Sequence, residues 1–229
     1  PKSYARRVTT LKVFFGWLYE SGVLASDPSA AIVQRTVTSP LPTLPSDEQI
    51  EAALQQSEHI RAGEGVKKAD ARPHLLLTLL LQTGIKKSEA MNIVPNHIDR
   101  SEAQRPILFI RYANPRLRYK ERKLDLDPDW LEVLDEYLDQ YQPHDTLFTC
   151  TARNLEYVLA NVAKLAGLAD GLSFEMLRWT CAVRDYRARM DPDQLRRKLG
   201  LSRMSWQETE PKLVRLIAPP LGEEEKSPP

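Results

Sequence analysis

The chain has little cysteine: Cys150 and Cys181 are the only two in 229 residues. Two thiols cannot build a disulfide framework or, by themselves, a zinc site. They are expected as small buried hydrophobes in a reducing, cytoplasmic setting. Long apolar runs are also missing. The longest, Leu75 to Leu81, is broken by Thr78 and is far short of the about 20 residues of a membrane span. No signal-peptide pattern opens the chain, and Pro1 rather than Met stands first, which reads as a processed or excised sequence. Nine Gly and 17 Pro exclude collagen-like and low-complexity sequence. A net charge of +1 offers no general pull toward nucleic acid. Tyrosine is absent beyond Tyr186, and histidine beyond His144.

What is present supports a core. Hydrophobic residues make up 42% of the chain, enough to exclude general disorder, and the length suits one large domain or two small ones. The near-neutral total hides an uneven distribution. Arg105 to Lys123 holds seven basic residues and one acid, and Arg184 to Arg203 holds seven basic residues and three acids. Glu223, Glu224 and Glu225 make the end acidic. Such runs mark either a binding patch or a solvated face.

Apolar spacing at Val8, Leu11, Phe15 and Leu18, stopped by Gly22, predicts a first helix. Pro40, Pro42 and Pro45 punctuate a linker that begins at Gln34. Ser46 and Gln49 form a capping box, opening a helix to about Gln56; the charged stretch Glu58 to Arg72 then reads as a loop. Pro73 begins a helix apolar on nearly every side, ended by Thr83-Gly84, and Ser88 caps a short helix to about Val94. Ile107 to Ile110 and Arg122 to Asp127 read as strands joined by a long basic tip. Helices are expected at about 128–141, 153–166, 173–189, 192–199 and 208–217, with disorder from Pro219. The fold class is α+β, predominantly helical, with a small antiparallel sheet against a helical core.

Four segments, in order, resemble motifs of the tyrosine recombinase (phage integrase) family. Thr83-Gly84-Ile85-Lys86-Lys87-Ser88-Glu89-Ala90 is similar to the family's Thr-Gly-Leu-Arg-Ile-Ser-Glu-Ala. Arg118 to Leu126 resembles its hairpin, Ser173 to Ala182 its His-x-Leu-Arg-His segment, and Leu199-Gly200-Leu201-Ser202 its Leu-Gly-His-Ser. The resemblance implies a remnant core-binding helix over 1–33, a linker over 34–45, a catalytic-like domain over 46–218 and a disordered acidic tail over 219–229. It also implies a chemistry. A tyrosine attacks a DNA phosphodiester, two arginines hold the non-bridging oxygens, and a hairpin lysine with imidazole or indole groups manages protons.

Placed on that pattern, the first arginine position is Lys86, a point charge instead of a bidentate fork. Glu89 keeps the family's acid as structural support. The hairpin lysine position falls near Leu117, with Lys120 close by. Glu175 stands where the first histidine would, Arg178 keeps the second arginine, and Trp179 and Leu201 take further histidine positions. Glu210 falls at the nucleophile position, and a carboxylate is repelled by a phosphodiester. These positions predict a double-stranded-DNA-binding protein without strand cleavage, not an enzyme, needing no cofactor or metal. The DNA-facing set is Lys86, Lys87, Arg116, Arg118, Lys120, Arg122, Arg178, Arg184 and Arg187. In the alternative readings, Arg178 is an internal brace paired with Glu175, Trp179 and Trp206 fill the core, and Glu208 and Glu210 are solvated helix-start carboxylates. Two other functions stay open: a recombinase whose nucleophile is displaced, as at Tyr186, or supplied in trans, and a protein-contact scaffold. The partners implied are a homo-oligomer or a recombinase joined through the C-terminal segment, in the cytoplasm, at the nucleoid if the source is bacterial or archaeal, and not at a membrane.

Overall fold

The computed structural model describes residues 2–33, 40–65 and 68–217. The start of the linker at 34–39 and the acidic tail lie outside the described residues. The chain divides into two compact units, one ending at Leu41 and the other beginning at Pro42. Among its described residues the first contains a single helix, α1 (Lys2–Glu20), ended by Gly22 at φ 73°. The Lys12 ammonium donates to the Ile32 carbonyl at 2.8 Å, folding the following turn back along α1.

In the second unit the Ser46 capping box is complete, with the Ser46 side chain accepting from the Gln49 N–H and the Gln49 side chain accepting from the Ser46 N–H. The helix it opens, α2 (Asp47–Ala62), runs past the expected end at Gln56. Ile60 is buried and Arg61 is drawn to a carboxylate pair on a later helix, so packing extends α2 through charged sequence. The predicted loop shrinks accordingly. α3 (Arg72–Thr83) forms the centre of the unit: Leu75, Leu76, Leu77, Leu79 and Leu80 are all fully buried. It packs against α2, α5 (Trp130–Tyr141), α6 (Ala152–Leu165) and α7 (Phe174–Arg187), which leaves a narrow polar, half-buried line of His74, Thr78 and Gln82.

α4 (Lys87–Ala90) is shorter than expected, and Lys86, not Ser88, is its N-cap residue. Its N-terminus is closed by the Glu89 side chain, which accepts from the Lys86 N–H at 2.8 Å. The sheet is antiparallel with three strands in the order β1 (Ile98–Asp99), β2 (Ile107–Ile110) and β3 (Arg122–Asp125). In its register Leu108 pairs with Leu124 and Ile110 with Arg122. β1 carries no sequence signal of its own, because two residues show no periodicity. The basic tip is not open loop: Pro115–Lys120 winds into a 3-10 turn capped by the Asn114 side chain.

α8 (Pro192–Lys198) and α9 (Arg203–Ile217) are the last helices among the described residues, with a second buried cluster of Ala182, Val183, Leu195, Leu199, Trp206 and Leu213. α9 begins before Glu208, so Glu208 and Glu210 sit within the helix instead of at its start. Pro211 lies inside it; burial of Trp206 and Leu213 on either side holds the helix through the missing N–H. Cys181 is 1% exposed, and burial pushes its thiol up to about 12. A thiol-exchange reagent is therefore expected to titrate the half-buried Cys150 in the native protein and Cys181 only after unfolding. Fast reaction of two thiols under native conditions would contradict that burial.

Candidate nucleic-acid interface

Glu89 anchors the site. Its side chain is 1% exposed, and the Arg122 side chain facing it is 7% exposed. Arg122 Nη1 and Nη2 donate to the two carboxylate oxygens at 3.0 and 2.8 Å. The Tyr112 hydroxyl donates to Oε1, and the Lys86 N–H to Oε2. Burial alone would raise the Glu89 carboxyl. The hydrogen bonds and charge of Arg122, the Lys86 amide and the Tyr112 hydroxyl outweigh it and hold the group at about 2. One buried carboxylate thus ties together α4, the end of β2 and the start of β3.

Arg122 also donates through Nε to the Lys198 carbonyl at 2.6 Å and through Nη1 to the Lys120 carbonyl at 3.1 Å. It is an inward brace between hairpin and α8, and its place in the DNA-facing set is corrected: a guanidinium spent on a buried carboxylate and two carbonyls has no face for a phosphate. Gly200 is what admits it. Its φ is 58°, and a Cβ there would lie 2.6 Å from Arg122 Nη1.

Arg178 donates to the carbonyls of Gly84 and Leu199, the second at 2.5 Å. It braces α7 against the turns after α3 and α8. Glu175 is not its partner: it is exposed and has no ion-pair partner among the described residues. Burial, opposed by Glu89 and reinforced by Arg122, lowers Arg178 to about 10, which leaves it charged at neutral pH. Burial also lowers Lys86; Glu89 opposes the shift, and Arg178, Lys120 and Arg122 add to it. Cations thus crowd around a single carboxylate.

Lys86 and Arg178 open into a groove of about 790 Å³. Lys87, Glu175, Trp179 and Leu201 line the same groove, over an apolar floor that includes Leu172, Phe174 and Leu199. The tertiary fold therefore gathers positions from three of the four motif segments on one groove, while the hairpin contributes no lining residue. Trp179 is half-buried on this wall, whereas Trp206 fills the second core. Glu210 is not on the lining; its neighbour Thr209 is. Tyr186 packs on the second core and not in the groove. The tyrosine on the lining is Tyr157 of α6, whose hydroxyl accepts from Arg153 Nε at 2.9 Å. Sequence reasoning missed it because Tyr157 sits in an ordinary amphipathic helix. Tyr112 was missed for a similar reason: its partner Glu89 is 23 residues away.

Of the remaining basic positions, Arg116 and Arg118 are exposed on the tip, and Lys120 lies 5.3 Å from the centroid of the Tyr119 ring. Arg184 pairs with Asp47 at 3.3 Å, and Arg187 is exposed. Among the described residues no group of three or more His, Cys, Asp or Glu side chains could hold a metal ion, and no helix is long and apolar enough to cross a membrane.

Residues 46–207 match the sequence profile described as "Phage integrase family". The chain is 26% identical over 211 residues to tyrosine recombinase XerC of Corynebacterium efficiens, covering 86% of this chain and 63% of that protein. It is 35% identical over 98 residues to tyrosine recombinase XerD of Brucella abortus, covering 41% of this chain and 31% of that protein. The matched region thus spans less than two thirds of either relative. In fold, the Tn1549 transposon integrase, solved in complex with a circular intermediate DNA, superposes with a TM-score of 0.68 at 16% identity, over 94% of this chain and 79% of that one. The expectation that the chain is not an enzyme is overturned by these relatives, whose name, tyrosine recombinase, is that of an enzyme. A profile that covers most of the chain, on a fold shared with solved integrases, places the chain in the phage integrase family.

Proposed function

We propose that the chain is a DNA-binding recombinase domain that takes a duplex against the hairpin tip and seats one phosphate at the mouth of the groove. The observation that carries this reading is the convergence of Lys86 and Arg178, from α4 and α7, on one groove. Arg178 is fixed by two carbonyls, so its guanidinium is preorganised, and the backbone that carries Lys86 is anchored by its N–H to Glu89. Arg116, Arg118 and Lys120 supply phosphate contacts that position without reading sequence. Lys86, whose proton is loosened by burial, suits protonation of a leaving 5′ oxygen. The attacking phenol comes from outside α9, since Glu210 takes the family's position there. Tyr157 is the tyrosine in the groove, and a second chain is the other source.

Fluorescence anisotropy with a random duplex across a salt series tests the binding. The expected result is binding that weakens linearly in log K against log salt. A nicked duplex then traps the covalent adduct, and peptide mapping assigns its tyrosine to Tyr157 or to a partner protein. If no duplex binding appears at the lowest salt, this reading fails and the protein-contact scaffold stands in its place.

A further inference from the structure

Lys87 and Glu156 face each other across the groove. The ammonium lies 2.5 Å from the carboxylate, linking α4 to α6, and the two side chains are 44% and 48% exposed. Both line the groove that holds Lys86 and Arg178. An ion pair this exposed adds little to folding, because water and salt screen it and two long side chains must be ordered. Its effect on a phosphate is larger. The carboxylate gives Lys87 the anionic partner that a DNA backbone oxygen would otherwise provide.

Resting on the DNA-binding reading, we propose that Glu156 is a specificity-determining residue: an internal phosphate mimic that keeps Lys87 out of the interface on non-cognate DNA. Breaking the pair costs binding energy unless the surrounding contacts replace it. A site that fits the whole surface draws Lys87 away from Glu156, and a loosely held duplex leaves the pair closed. Glu175 differs, although it carries the same charge in the same groove. It pairs with no cation among the described residues, so its removal eases repulsion without freeing a contact.

The test is a set of salt-dependence lines on a random duplex for the wild type, Glu156→Gln, Lys87→Gln, the double variant and Glu175→Gln. Glu156→Gln is expected to bind several-fold tighter at low salt, with a slope steeper by about 0.9 for one added phosphate contact. Lys87→Gln should run parallel to the wild type, because Lys87 does not touch random DNA while Glu156 holds it. The double variant should run parallel to Lys87→Gln, and Glu175→Gln should bind tighter at an unchanged slope. Thermal midpoints near the wild-type value for Glu156→Gln confirm that the fold is not what changes. A line for Glu156→Gln parallel to the wild type overturns the proposal, as does a steeper slope that survives in the double variant or a shallower line for Lys87→Gln alone. Those outcomes leave DNA binding standing. No binding by the wild type or by Glu156→Gln removes both.

Discussion

Glu89→Ala lowers the unfolding free energy by about 3–5 kcal/mol, the range for removing one partner of a buried ion pair. The variant leaves Arg122, whose side chain is 7% exposed, facing a cavity with no anion. It also strands the Tyr112 hydroxyl and the Lys86 amide, both of which end on that carboxylate. The same group shapes the acid limb of stability. Its folded carboxyl sits at about 2, below the ordinary 4.5. A depressed carboxyl stabilises above its unfolded value and loses that contribution as pH falls. The wild type therefore loses about 3 kcal/mol from this site between roughly pH 5 and pH 2, and Glu89→Ala does not lose that portion. Chemical denaturation at pH 7 and pH 3 measures both effects. Equal stability of the two proteins at pH 7 would mean that Arg122 finds other partners and that Glu89 is no anchor.

Replacing Arg116, Arg118 and Lys120 together by Gln makes the slope of log K against log salt shallower by about 2.7, which is three contacts at about 0.9 each on duplex DNA. If the lines converge near 1 M salt, affinity at 0.1 M falls by about two to three orders of magnitude. Folding should be nearly unchanged, because Arg116 and Arg118 are exposed on a 3-10 turn and join no ion pair among the described residues. Arg122, two residues further along, behaves in the opposite way. Its replacement damages stability first, since its guanidinium is committed to Glu89 and the Lys198 carbonyl. Anisotropy titrations paired with denaturation curves separate the two classes. Parallel salt lines for the triple variant would mean that the tip does not touch DNA.

The sequence by itself determined the elements whose cause is local. The Ser46–Gln49 box sets the start of α2 because its hydrogen bonds span three residues. The leucines of α3 declare a helix buried on nearly every side, and the alternation ending in Leu124 and Leu126 declares a half-buried strand. The absence of tyrosine beyond Tyr186 is also a fact of sequence. Tertiary structure decided which charges are spent inside the protein. Arg116, Arg118 and Arg122 look alike in a basic run. Only the approach of α8, whose carbonyl at Lys198 is 76 residues from Arg122, turns one of them inward. Arg178 keeps a recognisable position, yet its partners are carbonyls of Gly84 and Leu199 and not the nearby Glu175. The facing of Lys87 and Glu156, 69 residues apart, left no trace in either helix's pattern. Periodicity records which side of an element is apolar. The partner of a polar group on a packed surface is set by which distant backbone or side chain the fold brings to it, and desolvation then makes that pairing obligatory.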